Sequence, residues 1–434
     1  MSAARRATVA LWTVLVVNVL IVEVLFFTGG PSKNTLIAIA KFVALHAALL
    51  MMLQLVLVAR QPWLDRWIGM DRLTSWHRWV GFTLFWAVVL HATLILVGYA
   101  RLSGISVPAQ IDTFVGIFPT LMGMLAVCAI LVAVGMSVRF VRRRLPYEVW
   151  HAVHLVLYVA VTLALVHQFY EGSTFRANAV TTAYWWILWG LAIALLLYGR
   201  VVTPLVRNAR HRLRVVAVVP ESDTVTSVYV TGRDLAKLDA RAGQFMVWRF
   251  LGGGRWWWRA NPFSISATPD GETLRLTAKA VGGTSAALRH LPVGTRVFVE
   301  GPYGAFTSRH RTRESTLLVA GGVGITPIRA LLGELTGPVT VLYRVRDAAD
   351  AVLLGELEEY VRTRGVRLHL LTGRTGPGNE PFAPANLEAL VPDVRDRDVF
   401  VCGPPAMTSA VVASLRRLGV PRNQIHAERF ALAS

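Results

Sequence analysis

The chain has 434 residues, of which 54% are hydrophobic and only 16% are charged, and its formal net charge is +19. This length allows two or three domains. The only cysteines are Cys128 and Cys402, which excludes a disulfide framework, and no CxxC motif occurs.

Almost every long apolar run lies before residue 205. Six of these runs are long enough to cross a bilayer, which takes about 20 residues each. They span residues 8–27, 35–59, 79–100, 115–138, 149–169 and 183–203. The first run follows the basic start MSAARR, but no small-residue cleavage site of a signal peptide precedes Gly29. We therefore expect six retained membrane helices.

Arginines collect at alternate ends of these runs. The opposite loops hold little more than Lys33, Arg101 and Arg176. Because basic residues favour the cytoplasmic side of a membrane, we expect a multi-pass protein of the cell membrane with both termini and the C-terminal half in the cytoplasm. A lipid bilayer partner thus accounts for the positive charge, and no nucleic-acid partner is expected.

Two pairs of histidines stand out in the third and fifth runs. His77 and His91 are fourteen residues apart, which on a helix is about 21 Å and within about 40° of one face. His154 and His167 are thirteen residues apart, or about 20 Å. Since both runs cross in the same direction, His77 matches His154 in depth and His91 matches His167. The pattern predicts two stacked bis-histidine metal sites of the kind that holds haem iron.

These histidines also admit roles that need no haem. Each histidine alone is more often a buried residue hydrogen-bonded to a neighbouring helix. Zinc is a weaker rival because it needs four close ligands. Thirteen residues also leave His154 and His167 about 140° apart on an ideal helix, so some distortion or rotation is required. We interpret His46 and His151 as packing or interfacial residues.

The residues after 205 show two further patterns. Short alternating strands between 206 and 312 predict a small antiparallel barrel. From 313 to 434, strands alternate with helices, which predicts a parallel α/β nucleotide-binding domain. The expected fold is therefore a multidomain membrane protein: an all-α six-helix transmembrane bundle (1–205), a β-barrel domain (206–312) and an α/β parallel-sheet domain (313–434).

Four motifs mark these soluble domains. NPFSIS (261–266) and KAVGGTSAAL (279–288) lie in the barrel region, and VAGGVGITPIRALL (319–332) and CGPPAM (402–407) lie in the α/β region. A glycine turn that opens a helix favours phosphate, because the free N–H groups and the helix dipole point at it. Each glycine pattern alone is weak, but the last two motifs together are specific.

Their order resembles that of the ferredoxin-NADP reductase superfamily. In this chain these domains follow six membrane runs with paired histidines. That arrangement resembles the ferric reductase and NADPH oxidase family. The resemblance implies FAD, NADPH (or NADH) and two b-type haems as cofactors. It places the flavin at Asn261, Pro262, Phe263 and Ser264, although Asn261 stands where the family usually has Arg or His. It places the FAD pyrophosphate at Gly282, Gly283, Thr284 and Ser285.

The resemblance also implies a nicotinamide site. Its residues are Gly321, Gly322, Gly324, Ile325, Thr326, Pro327, Cys402, Gly403 and Pro404. Thr326 and Cys402 would flank the nicotinamide, and Phe430 would cover the flavin until nicotinamide displaces it, with Glu428 as its companion. Arg346 and Arg374 would hold the 2′-phosphate that distinguishes NADPH from NADH, unless they are solvated surface arginines.

The implied function is transmembrane electron transfer. Electrons would pass from NAD(P)H through FAD and two haems, held by His77, His154, His91 and His167, to an external acceptor. Molecular oxygen and a ferric chelate are the two main alternatives for this acceptor, and a free flavin or a quinone is also left open. Lys41 near the outer end of the second run would attract an anionic acceptor or snorkel to the interface. A haem-free reductase with a membrane anchor, passing electrons to a partner protein, is the alternative, and a transporter with a fused reductase is weaker. The oligomeric state stays open.

Overall fold

The computed structural model describes residues 3–142, 144–145, 147–252, 259–376 and 378–429. It divides into two compact units. The first comprises Met1–Gln61 and Asp71–Arg200, and the second comprises Pro62–Met70 and Val201–Ser434.

The helices follow one another as α1 (Ala3–Thr28), α2 (Thr35–Val58), α3 (Pro62–Ile68), α4 (Met70–Ser103), α5 (Val107–Val115), α6 (Phe118–Ser137), α7 (Arg139–Arg142), α8 (Tyr147–Glu171), α9 (Ala179–Leu197), α10 (Thr203–His211), α11 (Gly283–Ala287), α12 (Ile325–Glu334), α13 (Leu354–Arg364), α14 (Pro384–Leu390) and α15 (Pro405–Arg417). A π-helical turn, Tyr198–Val202, joins α9 to α10.

The strands are β1 (Arg214–Pro220), β2 (Val225–Thr231), β3 (Phe245–Phe250), β4 (Asn261–Ser264), β5 (Thr273–Lys279), β6 (Val297–Tyr303), β7 (Thr316–Gly321), β8 (Val339–Arg344), β9 (Arg367–Leu371), β10 (Asp398–Gly403) and β11 (Ile425–Arg429).

Six helices of the described chain are long and apolar enough to cross a membrane, which confirms the predicted number. They are α1, α2, α4, α6, α8 and α9 with its extension into α10. Asparagine side chains fix two of their starts: Asn34 caps α2 and Asn178 caps α9, each accepting a hydrogen bond from a backbone N–H at 2.9 Å. Trp185 and Trp189 of α9 are fully buried in the bundle core, whereas many other apolar side chains face outward, as a lipid environment requires.

The second unit contains the predicted barrel and the predicted parallel sheet. Two three-stranded antiparallel sheets, ordered β1-β2-β5 and β4-β3-β6, enclose a core that includes Val228, Met246 and Trp248. The strands β7 to β11 form one parallel sheet in the order β11-β10-β7-β8-β9. The patterns of the sequence predicted both sheets, but they did not predict β4 or β11 as strands.

The short helix α3 is an unpredicted part of the second unit. It packs near the end of β6, where the buried Asp65 accepts a hydrogen bond through Oδ2 from the backbone N–H of Gly304 at 2.7 Å. No sequence pattern indicates this contact, because the segment is short and lies between two long apolar runs.

Candidate functional site

The four predicted histidine ligands form two close pairs. The ring centres of His77 on α4 and His154 on α8 are 6.1 Å apart. Those of His91 and His167 are 6.4 Å apart. With metal–nitrogen bonds of about 2.0–2.1 Å, two imidazoles on opposite sides of one metal ion have their ring centres roughly 6 Å apart. The distance between the two rings in both pairs is therefore compatible with one metal ion bound between them.

Hydrogen bonds orient the rings of the second pair. Nδ1 of His91 donates to the carbonyl oxygen of Ala40, and Nδ1 of His167 donates to that of Pro119, both at 3.0 Å. A carbonyl only accepts, so the proton must reside on Nδ1, and Nε2 keeps its lone pair. This is the usual way in which a protein prepares a histidine for metal binding.

The first pair has unsatisfied nitrogen atoms. Nδ1 of His77 and Nδ1 of His154 are buried, and neither makes a hydrogen bond within the described part of the chain. A buried polar atom without a partner costs about 1–3 kcal/mol, and a bound group is one of the explanations for such an atom in a folded protein. The residues present therefore fit a metal-centred group at this level too.

Neighbouring side chains explain how a thirteen-residue spacing serves both levels. His154 stacks on Trp150 one turn earlier, with ring centres 5.1 Å apart and planes 23° apart. His167 instead lies against the first half of α6, where a Cβ atom at Gly123 would come within 2.7 Å of its Nδ1. Each ring thus has a different neighbour, and α8 is one continuous helix from Tyr147 to Glu171.

The other membrane histidines make local contacts. Nδ1 of His46 lies 2.9 Å from the carbonyl oxygen of Phe42, and the ring packs on the Phe42 ring. His151 is exposed. Among the described residues, no group of three or more His, Cys, Asp or Glu side chains is arranged to hold a metal ion.

In the second unit, the order of the parallel strands creates a crevice. The chain moves from β7 outward to β8 and β9, and then crosses to β10 on the other side of β7. Nucleotides bind outside the carboxyl ends of the strands at such a switch point. The turn Gly322–Gly324 after β7 and the turn after β10 therefore line the expected dinucleotide site.

Glycines let these two segments approach each other. A Cβ atom on Gly324 would overlap the carbonyl oxygen of Cys402, and one on Gly403 would lie 3.2 Å from the Cα atom of Gly321. Gly322 has a φ of +54°, a region that favours glycine. These contacts give a physical reason for the glycines of both motifs.

The remaining nicotinamide candidates lie in the same place. Ile325, Thr326 and Pro327 form the first turn of α12, and Pro404 precedes α15. The Thr326 hydroxyl donates to the Val323 carbonyl at 3.0 Å, and Cys402 is fully buried. Glu428 on β11 is the register partner of Cys402.

The two candidate phosphate-binding arginines leave adjacent strands at this edge. Gly373 donates its backbone N–H to the carbonyl of Arg346 at 2.8 Å, which places Arg374 beside Arg346, and both side chains are exposed. Arg344, which was not among the predicted phosphate-binding residues, is buried and donates from Nη1 to the carbonyl of Thr372. Burial lowers the pKa of the Arg344 guanidinium from its ordinary value.

The flavin candidates lie on β4, which pairs antiparallel with β3. Trp248 donates from its indole N–H to the carbonyl of Phe263 at 3.0 Å. Ser264 is 3% exposed, and its Oγ has no hydrogen-bond partner within the described residues. Asn261 and Phe263 are half-buried, and Pro262 is exposed. An unsatisfied buried hydroxyl beside an accessible aromatic ring fits a flavin site.

The pyrophosphate candidates form a tight turn. Gly282 and Gly283 are exposed, and Thr284 is also on the surface of the turn. The buried Ser285 accepts hydrogen bonds through Oγ from the backbone N–H groups of Val281 and Gly282 at 3.0 and 3.1 Å, so it shapes the turn. Phe430, predicted to cover the flavin, lies outside the described residues.

Comparisons with known proteins match both halves of the chain. Residues 43–165 match the family described as ferric reductase like transmembrane component. Residues 318–413 match the oxidoreductase NAD-binding domain.

Curated relatives resemble about half of the chain. The reductase component of propane 2-monooxygenase from Mycolicibacterium goodii is 30% identical over 50% of this chain and 67% of its own length. Ferredoxin–NADP reductase B from Sorangium cellulosum is 30% identical over 39% of this chain and 77% of its own length. Among solved structures, the flavohem-like FAD/NAD-binding domain of nitric oxide dioxygenase from Vibrio cholerae is 26% identical, with 51% of this chain and 99% of that chain covered and a TM-score of 0.42.

The fold and these matches define a transmembrane oxidoreductase with an FAD- and NAD(P)-binding reductase half. The chain belongs to the ferric reductase-type proteins, in which a ferric-reductase-like transmembrane component is fused to a ferredoxin–NADP reductase-like module.

Proposed function

We propose that this protein transfers electrons across the membrane, from NAD(P)H through FAD and two b-type haems to an acceptor on the opposite face. The observation that carries the proposal is the pairing of four histidines at two levels, with ring centres 6.1 and 6.4 Å apart. One pair at that distance is common helix packing. Two such pairs on the same two helices provide two candidate haem sites at different depths along α4 and α8.

Each residue then has a specific task. His77 and His154 would hold the inner haem, and His91 and His167 the outer haem. Ser264 would donate its unpaired hydroxyl to the flavin, while the glycine loops would admit the dinucleotide. When bound, the cofactors supply the redox chemistry, since flavin accepts a hydride and releases single electrons that haem iron can carry.

The arginine asymmetry supports the direction of this transfer. Because basic loops stay on the cytoplasmic side, both termini and the reductase domains are assigned to the cytoplasm, where NAD(P)H is made. Exposed Arg346 and Arg374 side by side favour NADPH, because paired guanidinium groups bind a 2′-phosphate well.

The acceptor on the opposite face is molecular oxygen, giving superoxide, or a ferric chelate. Lys41 directly follows Ala40, whose carbonyl orients the outer-level His91. A cation at that depth attracts an anionic acceptor. Superoxide-dismutase-sensitive dye reduction, measured beside ferric-chelate reduction, separates the two acceptors.

A second candidate function follows from the relatives. The propane 2-monooxygenase relative is by name a reductase component, which favours a membrane-anchored flavin reductase that delivers electrons to a partner protein. This candidate needs no haem, so it also needs no paired histidines.

An absorbance spectrum of the purified protein tests the proposal. We expect a Soret and an α band of reduced b-type haem, with loss of about half the haem in His91→Ala or His167→Ala. His46→Ala serves as the matched control because its ring bonds only locally, and it should keep the full haem content. A yellow flavoprotein without haem bands would favour the second candidate.

A further inference from the structure

The side chain of Arg275 joins the barrel to the nucleotide-binding part of the second unit. It lies on β5 and is only 4% exposed. Its guanidinium bonds to Ser266 on the barrel side and to Glu356 on the nucleotide side. Because this buried arginine bonds to both parts, it also fixes their relative position.

On the barrel side, Arg275 fixes the segment that follows the flavin strand. Its Nε donates to Ser266 Oγ at 3.1 Å and its Nη2 donates to the Ser266 carbonyl at 2.7 Å. Thr277 also donates to Ser266 Oγ, at 2.8 Å. Ser266 comes two residues after the flavin candidate Ser264, so these bonds hold the end of that motif.

On the nucleotide side, Arg275 binds Glu356 with both arms of the guanidinium, at 2.6 and 3.1 Å. Glu356 lies in the first turn of α13 and forms a second ion pair with Arg329 of α12. Burial would raise the pKa of Glu356, but the two guanidinium groups outweigh it and lower the pKa below its ordinary value. The carboxylate is therefore charged at neutral pH.

A second contact fastens the same two segments together. Thr268 donates from Oγ1 to the carbonyl of Ala330 in α12 at 2.8 Å. A Cβ atom on Gly333 of α12 would overlap that Oγ1. The backbone after the flavin motif thus lies directly against the helix whose first turn carries Thr326.

We propose that Arg275 is a positioning residue for hydride transfer: through Ser266 and Glu356 it sets the flavin strand at a fixed distance and angle from the nicotinamide loop. The inference rests on the flavin and nicotinamide sites of the proposed function and is independent of the haems. A planar guanidinium fork fixes orientation as well as charge. Orientation matters here because a misplacement of about 1 Å can slow a reaction ~10²-fold.

The test uses full-length protein loaded with FAD and mixed anaerobically with NADPH, with flavin bleaching followed by stopped flow. Arg275→Gln and Arg275→Lys should lower the limiting rate of flavin reduction at least about tenfold, while the NADPH concentration for half-maximal rate stays nearly unchanged. Arg275→Lys keeps the charge but loses the fork, so a rescue by lysine would contradict the orientation argument.

Arg397→Gln is the matched control. Arg397 is 1% exposed and also binds a carboxylate with both arms, that of Asp393 at 2.8 Å, but entirely within the nucleotide-binding part. The Arg397→Gln substitution should lower the stability of the protein without slowing flavin reduction. If Arg397→Gln slows it as much as Arg275→Gln, the role of Arg275 is general stability and the inference is wrong.

A structural readout does not depend on activity. Hydrogen exchange of FAD-free protein should rise in residues 264–268 and 325–334 of Arg275→Gln, and not in Arg397→Gln. If Arg275→Gln does not fold, Glu356→Gln, which is partly exposed, replaces it with the same expectations. Unchanged exchange and an unchanged rate overturn the inference, whereas wild-type flavin that NAD(P)H does not reduce overturns the proposed function instead.

Discussion

A single glycine on α6 decides where His167 can lie. A Cβ atom at Gly123 would sit 2.7 Å from Nδ1 and 2.8 Å from Cγ of the His167 ring. Real Cβ contacts are essentially never this short, so Gly123→Ala must displace the ring from its partner His91. We expect Gly123→Ala to lose the outer haem, seen as about half the haem per flavin in the absorbance spectrum.

Gly135 on the same helix provides the control, because a Cβ atom there meets nothing within 4 Å. Alanine in place of glycine in a helix generally adds about 0.5–1 kcal/mol of stability. Gly135→Ala should therefore keep both haems, which would show that an added methyl group on α6 does not by itself remove haem. Full haem content in Gly123→Ala would show that His167 is not a ligand.

Removal of the Ser264 hydroxyl should affect the stability of the FAD-free protein and its affinity for FAD in different ways. It is buried without a partner in the described chain, so Ser264→Ala should leave the stability of FAD-free protein unchanged or raise it. FAD affinity should fall roughly 2- to 12-fold, which corresponds to one hydrogen bond of about 0.5–1.5 kcal/mol. Fluorescence titration with FAD and thermal unfolding measure the two effects.

Ser266→Ala is the comparison at a second buried serine, two residues further along the chain. Its hydroxyl accepts bonds from Arg275 and Thr277, so its removal should destabilise the FAD-free protein. If Ser264→Ala instead destabilises FAD-free protein and binds FAD normally, the hydroxyl is structural.

The sequence predicted the four histidines and the glycine loops, but not what directs them. Histidines in apolar runs are visible because polar residues are rare there. The role of Gly123 could not be predicted from the sequence, since glycine is frequent in membrane helices. The bridge from Arg275 to Glu356 joins residues 81 positions apart, and a pairing of that kind leaves no periodic signal.

At the scale of elements, the start of β10 depends on one buried carboxylate. Asp398 accepts hydrogen bonds from the backbone N–H groups of Thr312, at 2.6 Å, and of Arg313, and lies 3.4 Å from His426 Nε2. Burial raises the pKa of Asp398, but these bonds outweigh it and hold the pKa below its usual value. The bonded carboxylate anchors the strand whose other end carries Cys402.

This arrangement predicts a pH dependence of stability. Because the folded pKa is depressed, Asp398 stabilises the fold above its unfolded pKa of about 3.9, and the effect is lost as pH falls through the lower folded value. Asp398→Asn should cost about 1.5–3 kcal/mol near neutral pH. Thermal unfolding across this range should show the gap to wild type closing in acid, and a constant gap would contradict the assignment.

Regular elements were predictable because each repeats a simple pattern. Apolar runs of about 20 residues marked the membrane helices, and alternation between strands and helices marked the parallel sheet. The helix α3 was not predictable, because its seven residues are too few to show a period, and its anchor Asp65 bonds to Gly304, 239 positions later.

At the scale of the whole molecule, the proposed function requires electrons to cross the bilayer. The experiment uses lipid vesicles with the reductase facing outward, NADPH outside and a ferric chelate trapped inside. Wild-type protein should reduce the trapped chelate, which is followed with a chromogenic chelator of ferrous iron. His91→Ala combined with His167→Ala should abolish this reduction, because it removes both outer ligands.

The same vesicles distinguish transmembrane transfer from a membrane-anchored reductase. Flavin reduction by external NADPH should persist in the double variant, since the residues of the nicotinamide and flavin sites are untouched. An anchored reductase would instead reduce only acceptors added outside, with wild type and double variant alike. Reduction of acceptors outside the vesicle does not need the paired histidines. The ratio of internal to external reduction therefore measures electron transfer through the histidine pairs alone. A ratio unchanged by the histidine substitutions would rule out the haem path and leave delivery to a partner protein as the function.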